Sequence, residues 1–317
     1  MELNEQADLE SGQVEDLRGQ GGGGGGGIRA GGLPIPIPMG GGKIGIILTI
    51  VVLLGMLFCG GGLGTGLIGG DDSGGDNNSG NSQPLEQECD KANKDRFQDS
   101  DCRNFLYVQS VQTYWKVQLP QSFGKGYQEA TTRFFSGQVN TGCGGADSGV
   151  GPFYCPADSH VYIDLTFYQE LSNRFGASGE FAAPYVIAHE YGHHVQNLLG
   201  TSDQVNRAQQ RDPGNANHYS VMLELQADCY AGAWAKGAST TKDRDGDTLF
   251  TSITEQDIQQ AVETAEAIGD DAIQKRAGGR VNQDQFTHGS SADRKKWFLQ
   301  GYNTGDPKQC DTFSGAV

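Results

Sequence analysis

Apolar positions recur along the chain at three different intervals, and each interval predicts a different element. Residues 44–70 carry no charge, and the stretch from Ile44 to Phe58 is almost continuously apolar. A bilayer core needs about 20 mostly apolar residues in a helix, so 44–68 predicts one transmembrane helix. Alternation marks residues 159–166, where Val161, Ile163 and Leu165 interleave with His160, Tyr162 and Asp164. That is the period of a half-buried strand, with Tyr162 and Asp164 on its exposed face. A second strand is predicted over 131–139. A period near 3.6 predicts helices over about 103–117, 180–199 (ended by Gly200), 217–237, 254–268 and 290–300. Strands first and helices after describe an α+β domain with a small β-sheet, preceded by the transmembrane helix.

Composition divides the chain further. Residues 1–43 hold few apolar side chains, the glycine run Gly21–Gly27 and a Pro-alternating segment from Leu33 to Pro38. Too little surface can be buried there to offset the entropy of ordering, which predicts a disordered tail. The glycine run satisfies G-x-G-x-x-G only trivially, because no predicted strand precedes it. Residues 69–88, rich in Asp, Ser, Gly and Asn, read as a flexible linker, leaving 89–317 as the folded domain. Arg18, Arg29 and Lys43 precede the apolar stretch, whereas Asp71, Asp72 and Asp76 follow it. The positive-inside rule then expects a cytoplasmic N-terminus and everything after residue 70 outside. The long preceding tail and the lack of an A-x-A site argue against a cleaved signal peptide. Bulky Phe58 before Cys59 argues against a lipoprotein site. A formal net charge of -16 with no basic stripe excludes a nucleic-acid partner.

Seven cysteines occur, and six of them follow the apolar stretch. No C-x-x-C is present, which speaks against a cysteine-ligated zinc ribbon. An even set on one side of a membrane segment reads as disulfides in an oxidising compartment. Short local loops predict Cys89–Cys102 and Cys143–Cys155, leaving Cys229–Cys310 by elimination.

The chemistry is concentrated in Val186-Ile187-Ala188-His189-Glu190-Tyr191-Gly192-His193-His194-Val195. On a helix, His189 and His193 lie one turn apart on one face and can share a metal ion, while Glu190 projects beside them toward a metal-bound water. This is H-E-x-x-H. The predicted helix 217–237 carries Glu224-Leu225-Gln226-Ala227-Asp228. Glu224 completes a His₂Glu zinc set with its fourth position left for water, and Asp228 is placed to accept the second N–H of a ligand histidine. Small residues Ala188 and Gly192 suit close approach of that second helix. The glycine and third histidine of a metzincin are missing after His193. His194 falls off the ligand face and reads as structural, and His160 and His218 as ordinary. Asp243 to Asp247 fails the EF-hand spacing and reads as a polar turn.

These motifs occur with Val14-Glu15-Asp16, Gly151-Pro152-Phe153-Tyr154-Cys155-Pro156 and Phe286-Thr287-His288-Gly289-Ser290-Ser291. In this order they resemble the bacterial YpfJ-like neutral zinc metallopeptidases, over roughly residues 100–315. The resemblance implies a zincin-like (gluzincin) fold, in which the strand before the active-site helix receives substrate as an added strand. The expectation is a zinc metalloendopeptidase, single-pass in the bacterial cytoplasmic membrane, with its catalytic domain extracytoplasmic and a peptide or protein as substrate. Glu190 is expected to act as general base and His288 as oxyanion donor. A membrane-tethered zinc-binding interaction module with little or no turnover is the alternative. A zinc amidase acting on cell-wall peptides would use the same site.

Overall fold

A computed structural model of the chain describes residues 1–19, 85–177 and 179–315. In chain order it contains strands β1 (Glu2–Leu3) and β2 (Val14–Asp16), helix α1 (Ser100–Phe123), and strands β3 (Thr131–Phe134), β4 (Gln138–Thr141), β5 (Gly144–Asp147), β6 (Phe153–Cys155) and β7 (His160–Ile163). Helices α2 (Phe167–Phe175), α3 (Ala182–Leu199), α4 (Thr201–Arg211) and α5 (Ala216–Gly237) follow. Strand β8 (Phe250–Ser252) and helices α6 (Glu255–Ala267), α7 (Asp270–Arg276) and α8 (Ser291–Thr304) complete the order.

Helix α3 is the centre. Its residues are apolar on nearly every side, and such a helix is stable only when surrounded. Tyr185, Ile187, Tyr191 and Val195 are all fully buried. Gly200 ends the helix in the left-handed region, at φ 79°, where a side chain is disfavoured. The four-stranded sheet runs β2-β3-β7-β6, parallel except for the antiparallel edge strand β6. It is tied to α3 by the Tyr191 hydroxyl, which lies 2.9 Å from Thr132 Oγ1 and donates to the Ala130 carbonyl at 3.1 Å.

Helices α5 and α8 press against this centre through small residues. A Cβ built on Gly192 would sit 3.0 Å from the Ala227 Cα, so α3 and α5 touch backbone to backbone, as the small residues predict. The α5–α8 contact is tighter. A Cβ on Gly232 would fall 2.0 Å from the Phe298 carbonyl, and one on Gly301 1.9 Å from the Cys229 carbonyl. Disulfides Cys89–Cys102, Cys143–Cys155 and Cys229–Cys310 form as the spacing predicts.

Several expectations need correction. Residues 1–19 are not a disordered tail apart from the 89–317 domain. β1 pairs with β8, and β2 forms the edge of the main sheet beside β3. Composition averaged over 1–43 hides this, because the glycine and proline bias begins only after Arg18. Strand 131–139 is two strands, broken near Gly137 with its φ of 77°. Tyr162 and Asp164 are buried rather than exposed. The sheet's outer face is covered by a second cluster, in which Phe153 stacks on Tyr162 at 5.1 Å and Phe135 and Cys155 pack nearby. Helices α2 and α4 and the β4–β5 hairpin are elements that the periodicity did not reveal. The apolar stretch 44–68 and most of the 69–88 linker lie outside the described residues. Among the described residues, no helix is long and apolar enough to cross a membrane.

Candidate metal centre

His189, Glu190 and His193 stand on α3, and α5 brings Glu224 to meet them. Glu224 Oε2 lies 3.1 Å from His189 Nε2, and Oε1 lies 3.3 Å from His193 Nε2. The imidazole planes are nearly perpendicular, at 89°, with centroids 4.8 Å apart. One donor atom from each of these three residues lies within 4.8 Å of the others, and they form the group among the described residues that could hold a metal ion. The residues fit that role. Glu224 is 2% exposed, yet its Oε1 accepts no hydrogen bond. An orphaned buried carboxylate oxygen carries a large desolvation cost, which a coordinated cation would remove.

The second nitrogen of each imidazole is also held. His189 Nδ1 pairs with Asp228 Oδ1 at 2.8 Å, and His193 Nδ1 with Gln196 Oε1 at 2.9 Å. Both imidazoles are thereby fixed with Nε2 toward the shared point. Asp228 falls where its i+4 spacing from Glu224 predicts. Its network extends further, since Tyr185 donates to Oδ1 at 2.6 Å and Arg294 from α8 grips both oxygens at 2.8 and 2.9 Å. Gln196 in turn donates to the Leu223 carbonyl at 2.7 Å, linking α3 to α5. Arg294, Tyr185 and Gln196 escaped the sequence reading. Gln196 had a signal, one turn after His193; Arg294 had none, because its partner lies far away in the chain.

Electrostatics follow from burial and from this convergence. Burial alone would lower the His189 pKa, but Asp228 and Glu224 outweigh it and raise the value to about 10. His193 also moves upward, with Glu224 outweighing its burial. Burial works against Glu224 ionisation, yet the two imidazoles hold its pKa well below the usual value. Asp228 is lowered to about 2, with Arg294 and His189 overcoming its burial. Glu190 goes the other way, chiefly because burial penalises its anion. His194 packs elsewhere: its Nε2 donates to the Gln128 carbonyl at 2.6 Å, and burial lowers its pKa.

His288 reaches the site from the loop before α8. Its Nδ1 lies 3.1 Å from Asp270 Oδ1, leaving Nε2 for a ligand. Asp270 Oδ2 accepts the backbone N–H groups of Thr287, His288 and Gly289 at 2.7, 2.7 and 3.0 Å, which fastens the loop. Asp270 is a further residue that the sequence reading missed. A cleft of about 170 Å³ joins His288 to His189, Glu190, His193 and Glu224. Phe167 and Phe175 from α2, Val186, Ile268 and Ile273 give it apolar walls. Ser202, Asn206 and Gln209 from α4 and Ser220 from α5 give it polar ones.

Two imidazoles and a carboxylate around one point, a buried glutamate beside them and an open cleft are the constellation of zinc metallopeptidases. Comparison with known proteins agrees: the chain belongs to the family described as "Putative neutral zinc metallopeptidase", whose match runs over residues 3–313. It is 40% identical over 310 residues to the uncharacterized YpfJ protein of Escherichia coli, covering 97% of this chain and 98% of the relative. It is 52% identical over 217 residues to uncharacterized proteins of Mycobacterium tuberculosis and Mycobacterium bovis, covering 68% of this chain and 71% of theirs. No solved structure matches.

Proposed function

We propose that this chain is a zinc endopeptidase that hydrolyses peptide bonds in extracytoplasmic peptides or proteins, with Glu190 handling the proton. The observation that carries this reading is the buried Glu224 carboxylate, facing the Nε2 atoms of two imidazoles oriented by Asp228 and Gln196, beside an open cleft. A zinc ion held by His189, His193 and Glu224 would supply Lewis acidity and lower the pKa of water at its fourth position.

The remaining steps belong to the chain itself. Glu190, with its raised pKa, accepts the proton of the attacking water and delivers it to the leaving amine. His288, in the tautomer whose Nδ1 accepts from the Thr287 hydroxyl at 3.1 Å, donates from Nε2 to the carbonyl oxygen as negative charge develops there; losing such a donor costs about 10²–10³ in rate. Strand β6 is the edge of the sheet, and Phe153 and Tyr154 line the cleft. A substrate backbone adding antiparallel to that edge would cross the centre in extended form. The three disulfides support an oxidising setting.

Glu190→Gln tests the reading directly. The variant should keep its zinc, measured by atomic emission, and lose at least about a hundredfold in peptide cleavage. A zinc-loaded, unaltered chain that cleaves nothing in a proteome-derived peptide library would sink the proposal and leave the interaction module standing.

A further inference from the structure

The first nineteen residues are bound too extensively to be an accessory. The Arg96 guanidinium, on a residue 1% exposed, donates to the carbonyls of Glu5 and Ala7 at 3.0 and 2.7 Å, and to that of Cys89 at 2.9 Å. One buried cation therefore holds the N-terminal segment and the Cys89–Cys102 loop together. Gln109 in α1 accepts from the Glu10 N–H at 2.6 Å and donates to the Asp8 carbonyl at 2.5 Å. Ala7 is fully buried, Gln13 and Val14 nearly so. β2 then runs parallel to β3 with Val14, Glu15 and Asp16 opposite Thr132, Arg133 and Phe134. The segment closes with Arg18, which pairs with Asp16 and with Asp101 of α1.

Each of these partners belongs to the disulfide-bonded unit that carries the metal centre. A backbone committed to a sheet edge and to a buried guanidinium cannot also be on the other side of a bilayer. Hydropathy and flanking charge expect that separation, because Arg18 counts there as a cytoplasmic cation. In the fold, Arg18 is consumed by two carboxylates of the domain.

We infer that residues 1–19 are a permanent part of the catalytic unit and share its compartment. A chain inserted as a single-pass protein would have to strip β2 from the sheet and leave Arg96 facing no carbonyls from residues 5 and 7. Topology follows the fold here rather than the charge bias.

The test uses the full chain in bacterial spheroplasts. One epitope is inserted within Gly21–Gly27, which leaves residues 1–19 intact, and another is appended after Val317. Externally added protease should treat both epitopes alike. Removal of one with survival of the other overturns the inference. Docking itself is read by Glu15→Cys with Arg133→Cys, which face each other across the β2–β3 register. With oxidised glutathione as electron acceptor, this pair should cross-link and shift mobility on a non-reducing gel. Chains that hold their native disulfides but never form the added one would overturn it too. The epitope readout stands by itself if the double variant misfolds.

Discussion

Asp228 shows how much one side chain decides. Fully buried, it orients His189, accepts from Tyr185 and neutralises Arg294. Replacing Arg294 with Met should leave that carboxylate short of a counter-charge and cost about 3–5 kcal/mol in denaturant unfolding of the metal-free chain. A loss under about 1 kcal/mol would mean that Tyr185 and His189 suffice. The raised pKa values of His189 and His193 give a signed expectation for metal loading. Their protons must leave before the nitrogens can bind a cation, so affinity rises with pH. From about pH 6 to about pH 8 it should climb about tenfold per unit for each proton displaced. Competition against a chromophoric chelator measures this, and a flat profile would refute the raised values. His189, Glu190, His193 and Glu224 were legible because their spacing is local to single helices. Asp270, Arg294 and Tyr185 were not, because their roles arise only from contacts between distant segments.

Among elements, α5 bears most. It supplies Glu224 and Asp228, lies against α3 at Gly192, and meets α8 where Gly232 and Gly301 remove all side-chain bulk. Gly301→Val would drive methyl groups into the Cys229 carbonyl. Strain of this kind costs about 1–3 kcal/mol and sometimes more, and here it should also weaken metal binding, since the displaced helix carries a ligand. Thermal unfolding and metal titration, run together, check both effects. The apolar cleft walls from α2, Val186, Ile268 and Ile273 bear on selectivity. Burying a large aliphatic or aromatic side chain is worth about 1.5–3 kcal/mol. Peptides with Leu or Phe beside the cleaved bond should therefore outrun Gly or Asp analogues by about ten- to a hundredfold in kcat/KM. Equal rates would show that these walls do not contact substrate. The long helices were readable from periodicity. Short α2 and α4, of nine and eleven residues, were not, because about three turns at most give too few repeats to separate from a loop.

For the molecule as a whole, the chief surprise is its first segment. Composition averaged with the glycine-rich neighbourhood hides nineteen ordered residues and the two strands they contribute. Removing residues 2–18 would expose the β3 edge, and open strand edges template association. Such a chain should unfold at lower temperature and elute as larger species in size-exclusion chromatography; an unchanged melting temperature and elution volume would argue that the segment contributes little. At the other end, the chain's last cysteine bonds to Cys229, the neighbour of Asp228, while Gln226 donates to the Cys310 carbonyl at 2.8 Å and Thr312 to that of Met222 at 2.6 Å. The helix that carries Glu224 and Asp228 is thus clamped by Cys310 and Thr312, which lie far from it along the chain. Reducing Cys229–Cys310 should therefore slacken the mounting of Glu224, and metal loaded onto the reduced chain should pass to a competing chelator faster than metal loaded onto the oxidised one.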